Sequence, residues 1–360
     1  MVYVGDKIPR DGSINGKIVV LDVIPGEIHP RQLVAISDYV HDPAGFFETT
    51  KSLAAPNLSA NMPLAFYDAH AEGAIALVGI LSFATGTNQF YPDVGLAVRD
   101  LMPALMVGKF DGETLKQNLK DAGSSLQGKV KLLGRVEENA ETGNVVGTLP
   151  GVSDDVLIVN THHDGCFSSA VEDASGIASV LALAKFYAAY VPDLRVRTLV
   201  FDVEDGHWDW SYPKGNREFV KRNPNVIDRT EAVFGIEHIA REMKVEDTKY
   251  VDAEHTSPTI FFAPDNAELK QLAIEAVKKN NLDYTIIPRF GGEDILIPAQ
   301  TRWFHLQGLP VFQYISGPEY LYLADDTLAK IDKARFVTVN RTFIDLIERL
   351  QYIPCHRTRW

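Results

Sequence analysis

The chain has 360 residues, with 35 Lys and Arg against 48 Asp and Glu and a formal net charge of −13. At 46% apolar, 23% charged and 10% aromatic it has the composition of a globular protein with a sizeable core, and its length suggests two domains. The acidic balance argues against a nucleic-acid partner, which demands clustered Lys and Arg, and no run of about 18 apolar residues offers a membrane span.

The first 135 residues read as short strands and two helices. Residues 17–23, apolar and β-branched after Asn15-Gly16, predict a buried strand. Residues 69–74 end a helix at Gly73, 75–80 and 103–107 are strands, and 111–119 predict an amphipathic helix capped by Asp111. Alternation over 129–136 predicts a closing, edge-like strand. This segment, 1–135, carries few catalytic candidates. From 136 to 360 strands alternate with helices: strands at 144–149, 155–160, 197–201, 232–236, 285–288 and 311–315, helices at 174–190, 216–221, 267–280 and 333–350. Repeated βα units with near-continuous apolar strands predict an α/β fold, a mostly parallel twisted sheet covered by helices on both faces. Chemistry in such sheets collects at the carboxyl ends of the strands.

That rule selects a cluster. The strand at 155–160 runs into His162-His163-Asp164, the one at 197–203 into Glu204-Asp205-Gly206-His207, and the one at 232–236 into Glu237-His238. Glu172-Asp173 precedes the helix opening at Ala174-Ser175-Gly176. Imidazole plus carboxylate is the ligand set of a catalytic zinc or related divalent cation. Other features have plainer readings: Cys166 as a small buried thiol rather than a nucleophile, His255 and His305 as hydrogen-bonded residues, and Glu293-Asp294 as a turn. Trp208, Trp210 and Tyr212 are core or, in the minority reading, the wall of a substrate pocket. Asn57-Leu58-Ser59 and Asn340-Arg341-Thr342 are sequons of a kind that arises by chance. Two cysteines, Cys166 and Cys355, build no disulfide framework. With no secretory leader at Met1, a cytoplasmic location is expected, secretion being the alternative for a processed fragment.

The constellation resembles the co-catalytic zinc peptidases that include bacterial leucyl aminopeptidases, glutamate carboxypeptidase II and, on the same fold, the glutaminyl cyclases. His162-His163-Asp164 is similar to the family's His-x-Asp, Glu172-Asp173-Ala174-Ser175-Gly176 to its acidic pair before Ala-Ser-Gly, and Glu204-Asp205 to its Glu-Glu. Gly308-Leu309-Pro310 and Asp325-Asp326-Thr327-Leu328 resemble further segments, so the likeness spans about 143–350. It implies zinc, with His162, Glu172, Asp173, Asp205, His207 and Glu237 as metal ligands, Asp164 and His238 behind them, and Glu204 as general base. Where the family places its last His ligand this chain has Tyr322, which becomes the candidate oxyanion donor, while His207 and His238 are candidates to replace the missing imidazole. A bridging acid lengthened to Glu172 and a ligand shortened to Asp205 favour one zinc ion over two, because metal–oxygen distances tolerate only about 0.2 Å. Residues 1–135 resemble a small α+β protease-associated domain.

The resemblance implies a hydrolase of an amide bond in a peptide or small molecule, with metal-activated water as nucleophile, and a possible homodimer. A single-metal cyclase or acyl transferase on the same fold and a catalytically inactive binding protein are the alternatives.

Overall fold

The computed structural model describes residues 1–55, 64–90, 102–123, 126–134, 137, 139–190, 195–207, 214–289 and 300–353. Trp208, Trp210, Tyr212, Glu293, Asp294, Cys355, Asn57 and the 135/136 boundary lie outside the described residues.

The amino-terminal part contains β1 (Val2–Tyr3), β2 (Ile18–Val23), β3 (Gly26–Ile28), α1 (Pro30–Ala35), β4 (Ser37–His41), α2 (Phe46–Thr49) and β5 (Leu53–Ala55). It continues with α3 (Leu64–Ala71), β6 (Ala76–Leu81), β7 (Ala104–Val107) and α4 (Lys109–Ala122). Strands β1-β2-β6-β7 form a parallel four-stranded sheet in that order. Leu119 of α4 packs under it against Val20, Val78 and Ile80. The helix starts earlier than Asp111, from Gly108, where a Cβ would strike the Gly86 and Thr87 carbonyls. Residues 129–134 form no strand: the alternation is present, but Leu132 and Leu133 are exposed and no apolar face is buried.

The remainder contains β8 (Val145–Leu149), β9 (Ser153–His162), α5 (Ser175–Tyr190), β10 (Arg197–Glu204), α6 (Lys214–Arg222), α7 (Pro224–Ile227) and β11 (Thr230–Ile236). Then come β12 (Arg241–Glu246), β13 (Lys249–Thr256), β14 (Thr259–Phe262), α8 (Ala267–Lys279), β15 (Thr285–Pro288), α9 (Arg302–His305), β16 (Val311–Ser316) and α10 (Arg335–Leu350). Eight strands make one sheet in the order β4-β15-β14-β16-β11-β9-β10-β8. Its centre, β16-β11-β9-β10, is parallel as expected. The sheet as a whole is mixed, because β8 runs antiparallel to β10, β14 to β16 and β4 to β15.

The period of two along the strands divides the core. Leu157, Val159, Phe234 and Ile236 face α5, α8 and α10, meeting Val180, Leu183, Ala273, Phe343 and Leu346. Val156, Ile158 and Val233 face the other way, onto Phe219 of α6, Ile227 of α7 and Phe304 of α9. Helices therefore cover both faces. A clean division of the chain near residue 135 does not describe the sheet. Strand β4, from within the first 135 residues, forms its far edge, pairing Val40 with Ile286 and Tyr39 with Ile287. Asp38 anchors that strand through Lys270 Nζ at 2.6 Å and Arg289 Nε at 2.9 Å.

Candidate metal centre

Three adjacent strands end at one place. Strand β9 delivers His162, β10 delivers Glu204, and the residues after β11 deliver Glu237 and His238; each is at most 4% exposed. The turn Ala170–Ala174, in which Glu172 (φ −105°, ψ 81°) and Asp173 (φ −133°, ψ 37°) leave helical geometry, carries both residues over the same ends, also buried. Asp326 holds that turn, its carboxylate accepting from the Val171 amide at 2.8 Å and the Glu172 amide at 3.0 Å. The Asp325-Asp326 motif was visible in the sequence; its job of shaping the ligand turn was not.

Glu172 is the centre of the cluster. Its Oε1 lies 3.3 Å from His162 Nε2, and its Oε2 contacts His238 Nε2. His162 Nδ1 faces the Asp164 carbonyl at 2.9 Å, with the Asp164 carboxylate at 3.3 Å. Both are acceptors, so Nδ1 carries a proton and donates, which leaves Nε2 as the atom presented to Glu172. This is how a metal-binding histidine is oriented, and Asp164 sits where the sequence placed it, behind His162.

His207 stacks on His162 with ring centroids 4.0 Å apart, and its Nδ1 is 3.2 Å from Glu204 Oε1. The other Glu204 oxygen accepts from the Asn216 amide at 2.7 Å, at the start of α6. Gly215 permits that approach, since a Cβ there would collide with the Asp205 carbonyl. The Asn216 side chain exchanges hydrogen bonds with Asn160 and donates to the Gln300 carbonyl at 2.7 Å. No sequence pattern pointed to this residue.

Several expected ligands are placed differently. Asp173 is committed elsewhere: its oxygens accept from Thr161 Oγ1, from the Gly176 amide at 3.0 Å and from the His238 amide at 3.2 Å. It stays 3.9 Å from His162 Nε2 and serves to join the helix α5 start to the turn after β11. Gly176 is required there, because a Cβ would overlap Asp173, Thr161 and the Ile236 carbonyl. Asp205 turns to the opposite side from Glu204. It lies 3.9 Å from His163, is one-fifth exposed, and lines a separate cavity of about 570 Å³ beside α6. His238, expected behind the ligands, stands in direct contact with Glu172. Tyr322, in a left-handed conformation (φ 66°), is buried in the apolar cluster that holds Val171, Ala240 and Leu321.

Burial sets the electrostatics. It drives the Glu204 carboxyl well above the usual range, with Asp202 adding to it, and raises Asp173 and Glu237 as well. Burial and the adjacent His162 push His207 well below the ordinary imidazole value, so it is neutral. Glu172 moves the other way: burial opposes ionisation, but His238 and His162 hold it ionised. His162 and His238 are raised against the cost of burial, His238 to about 10, by the carboxylates they face.

The donor set fits zinc. Among the described residues, ligand atoms of His162, Glu172 and His207 lie within 4.8 Å of one another, all buried. Zinc takes imidazole nitrogen and carboxylate oxygen at about 2.0–2.2 Å. The two Glu172 oxygens face imidazole nitrogens, His162 Nε2 at 3.3 Å and His238 Nε2 in contact, so once those rings are neutral nitrogen donors a cation is the partner that satisfies the buried carboxylate. Among the described residues no helix is long and apolar enough to cross a membrane.

Known structures share this architecture. A zinc aminopeptidase from Bacillus subtilis superposes with a TM-score of 0.63 at 15% identity, over 99% of this chain and 76% of that one. The Peptidase M28 precursor from Shewanella amazonensis gives 0.60 at 14%, over 97% and 73%. An aminopeptidase from Aneurinibacillus sp. strain AM-1 gives 0.53 at 20%, also over 97% and 73%. Identities this low establish the fold and nothing further. No curated protein sequence matches the chain. The sequence profile described as Peptidase family M28 matches residues 144–347, which is more than half of the chain and contains every residue of the cluster. The chain belongs to peptidase family M28.

Proposed function

We propose that the protein is a zinc-dependent, aminopeptidase-like hydrolase of peptide bonds, with Glu204 as its general base. The observation that carries this reading is the buried meeting of His162, Glu172 and His207 at the carboxyl ends of the parallel strands. Zinc bound to these residues supplies Lewis-acid polarisation of the scissile carbonyl and acidifies a water molecule. His162 and His207 supply neutral nitrogen donors, Glu172 an anionic oxygen. Glu204 takes the water proton and returns it to the leaving amine. Burial raises its affinity for protons, which suits a group that takes a proton and returns it, and the Asn216 amide and His207 Nδ1 fix its carboxylate. Tyr322 is the proposed hydrogen-bond donor to the developing oxyanion.

The Glu204–His207 contact favours a second reading of one residue. A carboxylate that accepts from Nδ1 of a ligating histidine also orients that ligand. Glu204→Gln separates the two roles. A general base predicts a fall in kcat of about 10²–10⁴-fold with zinc affinity kept. A purely orienting role predicts weaker zinc binding and activity restored by saturating zinc. Full activity without added zinc removes Glu204 from the mechanism altogether.

A further inference from the structure

We propose that the side chain of Asn216 positions the general base: paired with Asn160 in a buried polar layer beneath the metal centre, it fixes the start of α6 so that the Asn216 amide holds Glu204 in place. The proposal rests on the reading of Glu204 given above and extends it to two residues outside the ligand cluster.

The layer follows from strand alternation and register. Val200, Ile158, Val233 and Val311 stand side by side on β10, β9, β11 and β16 and face α6, α7 and α9. Two residues further along, on the same face of the sheet, the row becomes Asp202, Asn160, Gly235 and Gln313. Two residues further again, Glu204 and His162 are register partners at the metal centre. A polar row thus lies between the apolar core and the site, and Asn160, Asp202 and Gln313 are fully buried. Gly235 leaves room for the segment before α9 to cross this row. A Cβ there would lie 2.6 Å from Thr301 Cγ2 and 3.3 Å from Gln300 Nε2.

Asn216 enters the layer from α6. Its side-chain amide donates to the Gln300 carbonyl at 2.7 Å and to Asn160 Oδ1 at 3.1 Å, and its Oδ1 accepts from Asn160 Nδ2 at 3.2 Å. Asn160 Nδ2 also donates to the Asp202 carbonyl at 3.0 Å and to the Asp202 carboxylate at 3.1 Å. The Gln300 and Asp202 carbonyls only accept, so they fix which way both amides point, and the reciprocal Asn160–Asn216 pair follows. The Gln300 peptide that receives Asn216 also donates its amide to Glu237 Oε1 at 3.3 Å, so one peptide ties the support of the base to the cluster.

That support reaches Glu204 through the main chain. The Asn216 amide, in the first turn of α6, has no partner within the helix and donates to Glu204 Oε2 at 2.7 Å. A substitution at 216 keeps this amide but removes the side chain that places it. Alanine there leaves the Gln300 carbonyl and the Asn160 amide without their partner and frees the helix start to shift, and a displacement of about 1 Å costs up to about 10²-fold in rate. The competing account is that the layer serves stability alone, by holding α6 to the sheet.

The test is a double-mutant cycle on zinc-loaded, full-length protein, read by hydrolysis of an aminoacyl p-nitroanilide. Asn216→Ala is expected to lower kcat about tenfold to a hundredfold, with KM and zinc stoichiometry unchanged. In the Glu204→Gln background it should change the residual rate less than about twofold, because the group it positions is already gone. Amide hydrogen exchange of metal-stripped Asn216→Ala, which needs no substrate, should be faster at the start of α6 than in the wild type. Asn160→Ser removes the pair from the strand side and leaves α6 intact; it should give the same pattern, and it stands in for the alanine variant should that fail to fold. Equal falls in the wild-type and Glu204→Gln backgrounds overturn the proposal in favour of the stability account, as does failure of both variants to fold. Wild-type kcat in Asn216→Ala overturns it too, and a deficient Glu204→Gln then leaves the base reading intact. Full activity of Glu204→Gln overturns the base reading, and the positioning role falls with it.

Discussion

Removing the Asp164 carboxylate weakens zinc binding by a limited and calculable amount. His162 Nδ1 has two acceptors from this one residue, the main-chain carbonyl at 2.9 Å and the carboxylate at 3.3 Å. Asp164→Ala deletes the second and keeps the first, so the ring keeps its orientation and its tautomer. Loss of an outer partner of a metal-bound histidine costs about 10–100-fold in affinity. With the closer acceptor retained, the low end applies: roughly tenfold, or about 1.4 kcal/mol. The Asp164 side chain is about one-fifth exposed, so truncation opens no buried cavity, and unfolding free energy should change by less than about 1 kcal/mol. Asp164→Asn keeps an acceptor without the charge and should fall between the wild type and the alanine variant. Competition against a chromophoric zinc chelator measures the affinity. A loss beyond about a thousandfold would make Asp164 a ligand in its own right, and a loss under about twofold would mean that the carbonyl does the orienting alone; either refutes the reasoning.

Three further outcomes follow from the packing, the charges and the site. Phe343, fully buried against Phe234 and Phe261 with ring centroids 6.2 and 5.8 Å away, should cost about 3–5 kcal/mol as Phe343→Ala in urea unfolding, and a cost under about 1 kcal/mol would contradict this core. Asp38→Asn should cost about 1 kcal/mol at pH 7. Burial raises the Asp38 carboxyl but Lys270 and Arg289 more than reverse this, so its folded pKa is lowered. Its stabilisation is therefore complete above the unfolded value near 4 and lost as pH falls through the lower folded value. The wild-type advantage should shrink as pH falls below about 4, and an advantage that does not change with pH through that fall would disprove the ion-pair origin. Zinc added to stripped protein at a hundred times its Kd should raise the unfolding free energy by about 2.7 kcal/mol, read as an upward shift of the thermal midpoint; no shift would mean that zinc does not bind the native fold.

The parallel centre of the sheet was legible because β9, β10 and β11 are buried on both faces and read as apolar runs. Their carboxyl ends then picked out His162, Glu204 and Glu237, and the acidic pair before the helix opening added Glu172. The mixed edges were not legible. Strand β4 is half polar and its partner β15 lies some 245 residues along the chain, which no local pattern encodes. The polar hairpin β12–β13 turns through Asp247 and Thr248, both at positive φ, without the Asn-Gly or Asp-Gly signal that marks such turns. Asp205 follows the last residue of β10, where strand alternation no longer fixes the direction of a side chain, so its place beside His163 was not legible. The contact of His238 with Glu172 depends on a left-handed backbone and on the distant Ser316 carbonyl, and neither is written near residue 238.

The most direct test of the central claim is X-ray anomalous scattering at the zinc absorption edge from crystals grown with zinc chloride. The account predicts a zinc peak about 2.0–2.2 Å from His162 Nε2 and from a Glu172 oxygen, with His207 facing the same ion. Zinc found only on surface side chains, with His162 and Glu172 paired to each other and no peak between them, would contradict it.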